Sequence, residues 1–139
     1  MKYFKINKDS GEAYLDAVLV FFISILILSI LIGVVPVFMQ YQKMCYVTRE
    51  VLKEAEIRGN TNSEVYDYYD DLIEQVGLNP KSISFDGTDY IVGTKNVQIN
   101  DKIILTVKTD FSFFSGWIGK GIDVELVSVM TGRSGVFYK

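Results

Sequence analysis

The chain has 139 residues, a net charge of −3, no histidine and a single cysteine. That length allows one membrane stem plus one small domain of roughly 100 residues. The missing histidine removes the commonest general base, the Ser–His and Cys–His nucleophile pairs and the commonest metal ligand. One cysteine allows no intramolecular disulfide, and the mildly acidic balance gives no support for a nucleic-acid partner.

Residues 1–11 read as a short basic leader, with Lys2, Lys5 and Lys8 set against one acid, Asp9. Ala17 to Met39 then forms an uninterrupted apolar run in which Ser24 and Ser29 are the most polar side chains. Crossing the hydrocarbon core takes about 20 apolar residues, so the run is long enough to span with some tilt. Lysines on its N-terminal side predict a cytoplasmic N-terminus and a translocated C-terminal domain. A cleaved secretory signal is a poor fit. The run is too long, and Val35-Pro36-Val37 lacks the small residues of a cleavage site.

The spacing predicts one long helix over 12–58, of which only the first half is apolar throughout. After the run, Met44, Val47 or Thr48, Val51, Leu52, Ala55 and Ile57 recur at three-to-four spacing among Lys43, Arg49, Glu50, Lys53, Glu54 and Glu56. That is the pattern of an amphipathic helix. Pro36 is expected to bend it, and Gly59-Asn60 to end it. Cys45 reads as a small apolar residue in a packed face rather than an intermolecular bridge.

A second helix starts at a capping-box spacing, Thr61 with Glu64, or at Ser63 as the alternative cap. Val65, Tyr68 or Tyr69, Leu72, Ile73 and Val76 form its apolar face, and Gly77 followed by Pro80 stops it. Asp67, Asp70, Asp71 and Glu74 on the same helix read as a solvated face. A calcium or magnesium site needs carboxylates converging from several elements or a looped ligand pattern.

Beyond Pro80 the period changes to two. Ser82 to Phe85 alternates before an Asp86-Gly87 turn, and Val97-Gln98-Ile99 alternates before Asn100-Asp101. Ile103, Leu105 and Val107 face one way, as do Ile122, Val124, Leu126 and Ser128, until Val127 and Val129 break the second pattern. These segments predict a meander of three or four antiparallel strands packed on the second helix and the outer half of the first. Between two strands lie Phe111, Phe113, Phe114, Trp117 and Ile118. They suit either a flap that closes the core or a patch facing a partner or the membrane. The tail from Thr131 offers two glycines for a bulge or turn and then a short apolar strand. It has no phosphate-loop ending.

The leader carries the most specific signal. KYFKINKDSG is followed by EAYLD and then the span, so Gly11 stands five residues before Asp16. This resembles class III signal peptides, in which a basic leader ends in glycine with an acid at the fifth position after it. The resemblance implies cleavage between Gly11 and Glu12 by a membrane prepilin peptidase, with Asp16 in the role usually held by a glutamate. Physically, a new α-amine at Glu12 needs a counter-charge inside a low-dielectric bundle, and the carboxylate of a neighbouring stem supplies one that sets axial register. With the long helix, second helix and small sheet, the chain looks like TadE-like minor pilins of tight-adherence pili. It looks most like a group of small proteins of that kind from low-GC Gram-positive bacteria.

The expected fold is thus α+β: a leader over 1–11, a helical stem over 12–58 that spans at about 17–39, and an extracellular head over 61–139. The expected function is a non-enzymatic, pilin-like subunit with no cofactor and no metal. Its implied partners are membrane lipid, other pilin-like subunits, the peptidase, a secretion ATPase and a platform protein. The alternative is a single-span, membrane-anchored binding module that no peptidase processes.

Overall fold

A computed structural model of the chain describes residues 8–113 and 121–139. The architecture is α+β: a long apolar N-terminal helix, a second helix and a three-stranded antiparallel sheet. The elements run α1 (Lys8–Arg58), α2 (Ser63–Val76), β1 (Ser82–Ser84), β2 (Lys102–Phe113) and β3 (Ile122–Arg133). The chain divides into two compact units, Met1–Pro36 and Val37–Lys139.

In the first unit, α1 shows its apolar side chains on every side, from Leu15 through Ile25 and Leu31 to Val35. A helix apolar all round has no water-facing side, which is the mark of one made for hydrocarbon. Helical backbone begins at Lys8, four residues ahead of the expected start, and takes in Gly11 and Glu12. Pro36 stands inside α1.

In the second unit the outer part of α1 becomes a core element. Met44, Val47, Val51, Leu52 and Ala55 are buried with Val65, Tyr69 and Leu72 of α2 and with Ile103, Leu105 and Val107 of β2. Leu78, Phe85 and Val97 close the cluster from the connecting segments. Thr48 joins this buried face because its hydroxyl donates to the Met44 carbonyl at 2.8 Å, which satisfies it without a partner across the core.

The sheet has the order β1-β2-β3. Ile83 pairs with Val107, and β2 pairs with β3 along its whole length, from Lys102↔Arg133 to Phe113↔Ile122. Alternation persists through β3. Ser128 is buried, while Val127 and Val129 lie on the outer face with Thr131. The two valines therefore continue the period of two, because they stand exposed on the polar face instead of joining the core.

Three sequence expectations need correction. The capping box does not form: Asn62 occupies the cap position without a side-chain hydrogen bond, and Thr61 is buried with its hydroxyl 2.8 Å from that of Tyr90. Glu64 turns to Arg58 instead. Val97-Gln98-Ile99 is not a strand, because its neighbour is the short turn after α1. One bridge, Asn60↔Asn96, and the Val97 amide on the Gly59 carbonyl at 2.7 Å use that turn up. The tail after Arg133 is not a strand either. It folds over the end of α1, where the Tyr138 hydroxyl donates to the Arg58 carbonyl at 3.0 Å and Gln98 brackets the Tyr138 backbone.

Candidate functional site

The apolar segment of α1 is the longest run of exposed apolar side chains among the described residues. It is long and apolar enough to cross a membrane, which is compatible with a single-pass anchor. Asp16 is exposed at its N-terminal edge and has no ion-pair partner among the described residues. Within the segment the Ser24 hydroxyl donates to the Val20 carbonyl at 2.8 Å. Its polarity is thereby met inside the helix, so it presents little cost to lipid. Ser29 and Gly33 are half-buried against the helix itself and form a stripe of small side chains. Such a stripe lets a neighbouring stem approach closely.

Gly11 and Glu12 lie one after the other on α1, one helical turn before Asp16. The aromatic segment is only partly visible. Phe111 is half-buried at the far end of β2, and Phe113 is the last residue of that strand. Phe114, Trp117 and Ile118 lie outside the described residues, so the choice between core flap and exposed patch is not made there.

The acids of α2 behave as a solvated face: Asp67, Asp70, Asp71 and Glu74 are all exposed. Among the described residues no three carboxylate or cysteine side chains converge as metal ligands would. Cys45 is half-buried and receives a long hydrogen bond from the Ser128 hydroxyl at 3.9 Å.

Two residues carry more of the architecture than their sequence context suggested. Lys43 donates through Nζ to the Val76 carbonyl at 2.9 Å. α2 has no basic residue in its own last turn, so a cation from α1 supplies the charge its C-terminal carbonyls favour. Glu56 is a clamp. Its Oε1 accepts from the Arg133 amide at 2.9 Å, and its own carbonyl accepts from the Gly135 amide at 2.9 Å. A side chain at Gly132 would strike that carboxylate, with Oε1 1.9 Å from the position of a Cβ. The glycine pair in the tail was the available signal: Gly132 leaves room for the Glu56 carboxylate, whereas a Cβ at Gly135 would meet the Glu56 carbonyl at an ordinary 3.5 Å.

Among the described residues, burial also sets the most strongly shifted group. Tyr69 is 5% exposed, and desolvation, with Asp70 nearby, pushes its hydroxyl up to about 12.

An exposed apolar helix of bilayer-spanning length, in one chain with a small α+β unit, is compatible with the class of single-pass anchored proteins with a compact head. Within that class, the chain belongs to the family described as a domain of unknown function (DUF4320), whose profile matches residues 21–139. Neither a curated protein nor a solved structure matches it.

Proposed function

We propose that the chain is a pilin-like structural subunit, with Gly11–Glu12 as its processing site and Asp16 as the group that sets register between stems. The observation that carries this reading is α1 itself: one helix of 51 residues holds the glycine, the acid, the exposed apolar run and the head core. A mere anchor needs only the run. A subunit assembled by lateral packing of stems needs the head built directly on the packing helix, and here Met44 to Ala55 serve as both stem and core. On this reading the N-terminus is cytoplasmic and the head is outside. A secretion ATPase and platform protein extract the subunit from the membrane, and the head does no chemistry.

The carboxylate of Asp16 has a physical task in such an assembly. A processed Glu12 carries a new amine, and an unpaired charge buried among apolar stems is expensive. A neighbour's Asp16 offsets that cost only when the two stems stand in the correct axial register, so misregistered stems are rejected.

The test is the intact mass of the chain from cells carrying a matching prepilin peptidase, beside Gly11→Leu. The expected result is a mature chain starting at Glu12 that the variant lacks. A Met1 start in both would sink the proposal and leave a membrane-anchored binding module. In the same cells, Asp16→Asn should be processed normally yet fall at least about tenfold in the sheared surface fraction, because the amine then has no counter-charge. Normal assembly of that variant removes the register role.

A further inference from the structure

We propose that the outer face of α1 within the head docks on the outer face of α2 in a second copy of the chain. Every residue that carries this contact lies within the unit Val37–Lys139. The buried positions Met44, Val47, Thr48, Val51 and Ala55 fix which way this part of α1 faces. At about 100° per residue, Tyr46, Arg49, Lys53 and Ile57 fall together on the opposite side, and all four are exposed.

The acids of α1 do not interrupt that stripe. Glu54 pairs with Arg58, and Glu56 accepts from the Arg133 amide. Glu50 is half-buried on the flank toward Tyr68 of α2, whose hydroxyl is pushed up by burial first and by this carboxylate second. Arg49 and Lys53 have no ion-pair partner among the described residues.

α2 carries the complement. Its sequence, SEVYDYYDDLIEQV, holds no lysine or arginine. Glu64 is taken by Arg58, whereas Asp67, Asp70, Asp71 and Glu74 are exposed without an ion-pair partner among the described residues. Val65, Tyr69 and Leu72 are the buried side of α2, which puts Asp67, Asp70 and Glu74 on the far side.

The occupant follows from charge and spacing. Arg49 and Lys53 stand about one turn apart, roughly 6 Å along the axis, and so do Asp70 and Glu74. Within one chain the two stripes face away from each other's helix, because both helices turn their opposite sides to a common core. A second copy brings the cations to the carboxylates at matched spacing. Tyr46 and Ile57, exposed on either side of the cations, add the aromatic and apolar contact that interfaces favour. The paired charges steer encounter and fix the register of the docked helices. This contact deepens the reading of the chain as an assembling subunit, but it does not depend on cleavage at Gly11. Its test uses the uncleaved chain, so the two fail separately.

The experiment is sedimentation equilibrium of the full chain in neutral detergent micelles. One variant is Arg49→Glu/Lys53→Glu and the other is Asp70→Lys/Glu74→Lys, each checked first for an unchanged cooperative melt. The wild-type chain should self-associate at about 50 mM salt and weaken at least about tenfold at about 500 mM, since salt screens exposed charges. Each variant alone should associate at least about tenfold more weakly at the lower salt. An equimolar mixture of the two should regain the wild-type level, because the reversed α1 of one then meets the reversed α2 of the other. Equal association in all samples overturns the proposal, as does a mixture that stays apart. Loss in Arg49→Glu/Lys53→Glu with the acidic-face variant unaffected also overturns it, since that marks an anionic partner other than α2. Where a reversal loses its melt, Arg49→Gln/Lys53→Gln or Asp70→Asn/Glu74→Asn takes its place and is read for the loss in association alone.

Discussion

The sharpest prediction concerns Gly59, where α1 ends. Its φ is +65°, and a Cβ built there would stand 2.6 Å from the Val136 Cβ and 2.9 Å from its Cγ2. Ala at this position incurs two costs. The left-handed backbone is worth about 1–2 kcal/mol against a residue with a Cβ. The tail must also retreat from a contact well inside van der Waals range, and overpacking of this kind costs about 1–3 kcal/mol. Gly77 supplies the control. Its φ is +66°, yet nothing lies within 4 Å of its would-be Cβ. Gly77→Ala should therefore lose only the backbone part, and Gly59→Ala about 1–3 kcal/mol more. At roughly 4–8 °C per kcal/mol for a domain of this size, the extra loss lowers Tm by about 4–24 °C. The assay is thermal melting of the head signal in near-ultraviolet circular dichroism, with the full chain in detergent micelles. Val136→Gly should remove most of the difference between the two glycine variants. If the two lose the same stability, or if Val136→Gly leaves the gap unchanged, the close approach of tail and helix end is wrong.

Two further predictions test how the head is held together. Because Tyr69 is raised to about 12 by burial against about 10 when unfolded, the unfolded state loses its proton first as pH rises. Stability is therefore full below about pH 10 and declines by roughly 2–3 kcal/mol between pH 10 and 12. Urea titrations across that range should show a shallower decline in Tyr69→Phe, with Tyr66 and Tyr68, also raised by burial, supplying what remains. An identical decline in the variant would refute the assignment to Tyr69. Lys43→Met should cost about 1–3 kcal/mol, because the α2 carbonyls at Val76 lose a charged donor. Hydrogen exchange should show faster opening in the last turn of α2 alone, and uniform loss across the head would contradict the local role.

Local signals made most elements legible. The apolar run is charge-free over its length, so a helix long and apolar enough to cross a membrane needed no tertiary partner. Gly59 and Gly77 mark both helix ends because only their missing Cβ makes the left-handed turn cheap. Ile103, Leu105 and Val107 announced one buried strand face by strict alternation. The failures share one cause: each depended on what a distant segment offers. Thr61 has the spacing of a cap, yet Tyr90, 29 residues away, takes its hydroxyl. Val97 alternates like a strand, yet its backbone meets a turn too short to extend a ladder. The candidate site divides in the same way. Gly11, Glu12 and Asp16 were readable as a linear motif, whereas Lys43 and Glu56 looked like ordinary charges on an exposed helix face.

The amino-acid order by itself determined where the chain is apolar, where its helices stop and which strand faces are hydrophobic. Those properties follow from side-chain transfer energies and backbone sterics, which act within a few residues. Only the tertiary structure decided that Glu56 holds the start of the tail and that Lys43 closes α2. Each of these joins residues far apart in sequence, and such contacts form only when burial of a common core holds both partners in place.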